Sequence, residues 1–412
     1  MISPRIGKRR GMCDEVSIES LLMNQQQPTT QTTAPKTVRI LSLDGGGMRG
    51  YLSATFLQRF CQEAGINPQE LFNHFDIITG TSIGGIQALA YAYGLSPENM
   101  LGFFASEGAK IFAYDSVLPL PAYKASVLLG LPTYPLTFYR QEPLKAALEA
   151  VFGVSLQLSD LPGKVIIPSW QAGKNTPLIF SNIPGFEPFL TGLDTEVVRV
   201  GLATSAAPLY FPSASGGGQT LLDGGVYHNN PVTSAFAVAK QLSPASTRAC
   251  VLSVGTGLAH TAFIPKLRAQ AGGSLEDQLL RQEVKAEIEK LRQKLLRRHP
   301  HHRDQVNRVV DTALMPINDL VPYNVEYLFY LMDNVFITGP QELNAKLMAL
   351  ESQNLYEEVF SYRFQYQFLE GQDASLDNYA PEQLAALAQY AEQQYERDRF
   401  LIENFISHFK AG

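Results

Sequence analysis

The chain has 412 residues, 45% of them apolar and 17% charged, with a formal net charge of −6 at pH 7. That is enough apolar chain to bury a large core, and the acidic balance argues against a nucleic acid polymer as a main partner. Three cysteines, Cys13, Cys61 and Cys250, give no disulfide framework and suit a reducing compartment.

Residues 1–36 begin with Arg5, Lys8, Arg9 and Arg10, but no apolar run follows, so no secretory signal is expected. The tract Asn24-Gln25-Gln26-Gln27-Pro28-Thr29-Thr30-Gln31-Thr32-Thr33 cannot bury enough surface to offset its ordering entropy. It reads as a disordered arm. The stretch from Gly201 to Leu222 is uncharged and long enough to span a bilayer, but it is rich in Gly, Ser and Pro. Any membrane contact is therefore expected to be peripheral, on a cytoplasmic protein.

Val38 to Leu43 is short, β-branched and apolar, and ends at a glycine cluster, which predicts a buried strand. Residues 51–63 space their apolar groups helically. Phe75 to Thr79 predicts a second strand, and Ile83 to Tyr93 an apolar helix. Strand, glycine loop, helix, strand, sharp turn, helix describes a parallel α/β unit with helices covering the sheet. Further strands are expected at Val165–Ile167, Leu178–Phe180 and Cys250–Val254. Residues 112–139 hold Pro119, Pro121, Pro132 and Pro135 among Leu, Tyr and Phe, which suits either an acyl-binding groove or lid, or an irregular segment packed on the core.

Residues 275–298 predict an amphipathic helix with the stripe Leu280, Val284, Ile288, Leu291 and Leu295. From Lys290 to Arg303 the chain is basic and holds no acid; this patch could meet anionic headgroups or be a solvated helix end. Phe360, Tyr362, Phe364, Tyr366 and Phe368 alternate with polar residues, predicting a strand with an aromatic face. The tail from about Pro381 to Phe409 is expected to be helical.

Three short stretches carry chemistry. Gly80-Thr81-Ser82-Ile83-Gly84 lies between a predicted strand and a predicted helix, the context in which a strained turn exposes a nucleophilic serine. Asp44-Gly45-Gly46-Gly47-Met48-Arg49-Gly50 can present successive N–H groups to an oxyanion without Cβ obstruction. Arg49 adds a positive charge there, or pairs with Asp44. Asp223-Gly224-Gly225 puts a carboxylate in a tight turn, where it could serve as base to Ser82 without a histidine. A Ser-His-Asp arrangement through His228 or His260 is the competing hydrolase reading. The glycine loop also satisfies G-x-G-x-x-G, but a dinucleotide site wants an acid about 20 residues on. Glu63, the near candidate, falls in helix-like sequence, and Ser82 and Asp223 would be left unexplained.

With Thr204-Ser205-Ala206-Ala207-Pro208-Leu209-Tyr210-Phe211-Pro212, Asn229-Asn230-Pro231 and Ser253-Val254-Gly255-Thr256-Gly257, these motifs resemble those of the patatin-like phospholipases over roughly residues 37–400. The resemblance implies an α/β fold with a mostly parallel central sheet flanked by helices and a largely helical C-terminal part. The expected division is an arm over 1–36, a catalytic core over 37–260, and a mainly helical region over 261–412. The resemblance also implies hydrolysis of phospholipid or related acyl esters with no cofactor and no metal. Carried over, Ser82 is the nucleophile and Asp223 its base. The amides of Gly45, Gly46, Gly47 and Met48 form the oxyanion hole, supported by Arg49, Gly50, Gly80, Gly84 and Gly224. An unknown activator, export as an effector, and an inactive lipid- or partner-binding scaffold stay open.

Overall fold

In the computed structural model, the structure describes residues 37–113, 137–185, 194–216, 218–259, 355–369 and 371–411, with separate helical positions between 289 and 348. All of them belong to one compact unit, Pro35–Gly412. The arm over 1–36, His260, and most of the amphipathic helix and its basic end lie outside the described residues, as do 114–136 of the Pro-broken stretch.

In chain order the main elements begin with β1 (Thr37–Leu43), α1 (Gly50–Ala64), β2 (Ile77–Gly80), α2 (Ile83–Tyr93), α3 (Pro97–Ile111) and α4 (Glu142–Phe152). Then follow β3 (Val165–Gln171), β4 (Thr176–Ser181), α5 (Val197–Thr204), β5 (Ala214–Gly216), β6 (Gln219–Asp223) and α6 (Val232–Leu242). The last group is β7 (Arg248–Val254), β8 (Leu258–Ala259), β9 (Glu358–Phe364), β10 (Gln367–Phe368), α7 (Pro381–Arg397) and α8 (Arg399–Ala411).

The main sheet runs β5-β6-β3-β2-β1-β7-β9, with β4 also paired to β3. Its centre, from β3 to β9, is parallel; β4, β5 and β6 join antiparallel at one side. The sheet is thus a parallel core with an antiparallel flank. Sequence reasoning missed β5 (Ala-Ser-Gly) and β6 (Gln-Thr-Leu-Leu-Asp), which are too short and too poor in β-branched residues to carry much strand signal. The alternating aromatic run does form a strand, but it breaks at Gln365 and Tyr366. Phe364 ends β9, and Phe368 lies in β10, which pairs with β8.

Period-two alternation sorts the core onto two faces. Val38, Ile40, Ile77, Val251, Val232 and Phe236 fill one layer beneath α6. Leu41, Leu43, Ile78 and Leu252 fill the other with Leu52, Phe56 and Phe364. There the Phe56 ring of α1 stacks on Phe364 at 4.3 Å. α1 ends at Gly65, whose left-handed backbone (φ 64°) closes the helix with N–H bonds back to Cys61 and Gln62. α3 starts on a reciprocal Ser96–Asn99 capping box with Pro97 in its first turn.

The register matters most for function. Leu43 pairs with both Gly80 and Val254, and Val254 pairs with Phe364. Four parallel strands therefore end at one level. The segments after them, at Asp44, Thr81, Gly255 and Gln365, converge at the carboxyl edge of the sheet, where α/β folds place their ligands.

Candidate active site

Ser82 sits between β2 and α2 with φ 56° and ψ −126°, a backbone conformation that costs a non-glycine residue about 1–3 kcal/mol. Steric crowding enforces the turn. A Cβ on Gly80 would stand 2.1 Å from the Gly84 carbonyl oxygen, and one on Gly84 2.3 Å from that of Leu43. Only glycines let strand and helix approach so closely. The Ser82 N–H donates to Thr204 Oγ1 at 3.0 Å, and that hydroxyl donates to the Pro168 carbonyl at 2.7 Å. Thr81 Oγ1 donates to the His228 carbonyl at 2.7 Å. The serine is pinned from both sides, with its side chain at the start of a helix whose N-terminal dipole is positive.

Asp223 ends β6, directly opposite Ser169 of β3. This antiparallel pairing carries a residue 141 positions away in the chain to the nucleophile's turn. Its carboxylate is buried, accepts from the Gly225 N–H at 2.7 Å and faces the Ser82 hydroxyl. Burial pushes the carboxyl up to about 7, against the lowering influence of those two groups. Gly224 packs on Pro168, where a Cβ would lie 2.5 Å from the carbonyl oxygen.

The glycine loop is where expectation and structure part. The Gly45 N–H donates to the Asn229 carbonyl at 3.2 Å, and the Met48 N–H to the Leu376 carbonyl at 2.7 Å. Both amides are spent inside the protein, so the expected set of four donors is reduced. The amides of Gly46 and Gly47 alone remain without an acceptor among the described residues. Leu376 arrives from the segment between β10 and α7, which no local motif betrays. Gly47 is held at φ 56°, and a Cβ there would meet the Leu376 carbonyl at 2.1 Å. Arg49 is buried beneath the loop and does not line the cleft. Gly50 opens α1 against Gln87 and Phe104. Asp44 is gripped by the guanidinium of Arg363 from β9, at 3.0 and 2.6 Å.

The histidine alternative fails at His228. Its Nδ1 accepts from Asn344 Nδ2 at 3.0 Å, so Nε2 carries the proton and donates to Ser234 Oγ at 2.7 Å. Burial lowers its pKa to about 4, keeping the ring neutral. Both nitrogens are committed away from Ser82. Among the described residues no imidazole bonds to Ser82 or Asp223.

Ser82 and Asp223 lie in the wall of a cleft of about 690 Å³, including its open mouth. Gly46, Gly47 and Asn229 join them there. The remaining lining is dominated by apolar side chains, among them Ile86, Phe104, Ile111, Phe112 and Phe211. An apolar channel with a few convergent polar groups is the form of a ligand site, here one suited to an aliphatic chain with a polar end. Phe112 thus ties the start of the Pro-broken stretch to the cleft. At its other end the Tyr139 hydroxyl donates to Asp377, next to Leu376.

A strained serine, a buried carboxylate facing it and a glycine loop thus meet at the sheet edge. Residues 41–236 match the family model described as patatin-like phospholipase. The chain is 34% identical over 203 residues to a cGAMP-activated phospholipase of Vibrio cholerae, covering 47% of this chain and 55% of that protein. It is 31% identical over 267 residues to patatin-like protein 1 of Arabidopsis thaliana, covering 57% and 63% respectively. The chain spans between 53% and 64% of the length of the curated relatives it matches. The solved complex of human GIVD cytosolic phospholipase A2 with methyl gamma-linolenyl fluorophosphonate aligns with a TM-score of 0.37 and 12% identity over 91% of this chain and 60% of that chain. No helix among the described residues is long and apolar enough to cross a membrane.

Proposed function

We propose that the protein is a serine acyl hydrolase that cleaves carboxylic ester bonds of membrane phospholipids through Ser82 and Asp223. One observation carries the reading: the Ser82 hydroxyl, on a strained turn at the wall of an apolar cleft, faces a buried carboxylate raised to about 7 by its burial. A base with a pKa near working pH is matched to its task.

In the first half-reaction Ser82 Oγ attacks the ester carbonyl carbon and its proton passes to Asp223. The carbonyl electron pair moves onto oxygen, where the N–H groups of Gly46 and Gly47 receive the charge. The tetrahedral intermediate collapses to an acyl-serine, and Asp223 returns the proton to the departing alcohol. Water then attacks the acyl-serine, giving its proton to Asp223. Collapse of the second intermediate releases the fatty acid, and the Asp223 proton returns to Ser82. The apolar cleft takes the acyl chain, and the protein works at the bilayer surface as a peripheral protein.

Fatty-acid release from phosphatidylcholine vesicles tests this reading. Ser82→Ala and Asp223→Asn are each expected to lower turnover by at least about 10⁴-fold. Wild-type kcat/KM is expected to rise tenfold per pH unit up to about pH 7 and then level, as the base loses its proton. Covalent capture of Ser82 by a fluorophosphonate separates an enzyme from an inert scaffold. Full turnover in either variant rejects the assignment. Because the Vibrio relative is a cGAMP-activated phospholipase, cGAMP is the first activator to add if basal turnover is low.

A further inference from the structure

The Gly45 carbonyl oxygen accepts three side-chain donors: Thr256 Oγ1 at 2.7 Å, Gln341 Nε2 at 3.2 Å and Asn229 Nδ2 at 3.3 Å. All three side chains are buried. A single partner already satisfies a buried carbonyl, so three exceed what burial demands. The donors are themselves held. Asn230 Nδ2 donates to the Gln341 carbonyl at 3.4 Å, and the Asn229 carbonyl accepts the Gly45 N–H.

A trans peptide is planar and rigid, and its C=O and N–H point in opposite directions. Clamping the Gly45 carbonyl therefore aims the Gly46 N–H the other way. Gly46 lines the cleft, and its amide has no acceptor among the described residues. Space enforces the fit as well, since a Cβ on Gly46 would stand 2.2 Å from Thr256 Oγ1.

We infer that Thr256, Gln341 and Asn229 are positioning residues that orient the Gly46 amide as an oxyanion donor. They act through the Gly45–Gly46 peptide and touch no substrate through that bond. The inference rests on the acyl-hydrolase reading above and deepens it. Thr256 makes the shortest of the three bonds and has the largest share in setting the tilt of the peptide plane. Losing its hydroxyl leaves the oxygen two longer partners, so the carbonyl stays paired while the plane turns toward them. A small misalignment of a preorganised donor is felt in the transition state, where charge develops, more than in substrate binding.

The test compares Thr256→Val and Thr256→Ser in the full chain, with p-nitrophenyl butyrate as the soluble ester. Thr256→Val is expected to lower kcat about tenfold to a hundredfold while KM changes less than about twofold. The pH limb near 7 stays in place because Asp223 is untouched, and Thr256→Ser, which keeps the donor, recovers most of the rate. A merely structural role would not give that split or that rescue. If Thr256→Val fails to fold, as judged by its thermal midpoint, Gln341→Met carries the same comparison. Wild-type kcat in the valine or methionine variant, or a serine variant as slow as valine, overturns the inference alone. A wild-type protein with neither turnover nor fluorophosphonate capture overturns the acyl-hydrolase reading and this inference with it.

Discussion

The two halves of the site are built on different plans. The serine turn is local: Gly80, Ser82 and Gly84 set its backbone within five residues, and its crowding comes from the adjoining strand end. The glycine loop has little of its own to hold it. Its shape is imposed by Arg363, Gln341 and Leu376 from the far end of the chain, and by Thr256 and Asn229. The nucleophile's backbone strain is thus set by its own motif, with Thr204 and His228 bracing it, whereas the donor loop is shaped almost wholly from elsewhere.

The sharpest way to break this contrast is to attack the local half. Gly84→Ala forces a methyl within 2.3 Å of the Leu43 carbonyl oxygen and 2.5 Å of that of Asp44. Turnover should vanish and unfolding free energy should drop by more than about 4 kcal/mol, measured by denaturant melts. A stable, active Gly84→Ala protein would show that the turn is not sterically determined.

The remote half is tested by Arg363→Met, which leaves the Asp44 carboxylate, fully buried, without its guanidinium partner. Removing one member of such a pair costs about 3–5 kcal/mol. Calorimetry should find the loss, and kcat should fall although Arg363 lies outside the cleft.

A smaller effect separates the base from its surroundings. Burial raises the Asp223 carboxyl from 3.8 to about 7, so between those values the folded state holds a proton that the unfolded state does not. Wild-type stability therefore falls as pH rises through that window, and Asp223→Asn removes the dependence. The variant should gain on the wild type by on the order of 3 kcal/mol between pH 4 and pH 8, with no further gain above. Parallel stability curves would mean that the carboxyl is not raised.

The smallest expected effect is a control on the remote framework. Glu392 of α7 reaches Arg59 of α1 at 3.2 Å, but both side chains are partly open to solvent. Glu392→Gln should cost under about 0.5 kcal/mol and leave turnover unchanged. A large loss would mean that surface ties between α1 and α7, and not only buried ones, hold the loop.

The same contrast explains what could be read in advance. Ser82 and Asp223 were legible because each stands in a motif whose neighbours are adjacent in the chain. The parallel core was legible because buried strands are short runs of Val, Ile and Leu. The donor set was not. Nothing near Met48 announces that Leu376 will take its amide, and nothing near Gly45 announces Asn229. The flanking strands β5 and β6 escaped notice because β5 is only Ala-Ser-Gly and β6 holds just two apolar residues; pairing of β5 with β6, and of β6 with β3, makes them strands. His228 was an open alternative in sequence and closed only when Asn344 and Ser234 proved to hold its ring.

β9 enters the sheet long after β7, and it brings Arg363 and, just beyond, Leu376 to the loop that β1 began. A polypeptide still emerging from the ribosome carries its serine and aspartate well before it carries the residues that shape the cradle. The serine turn can thus take shape first, and the glycine loop gains the contacts that hold it only once Gln341, Arg363 and Leu376 have been added.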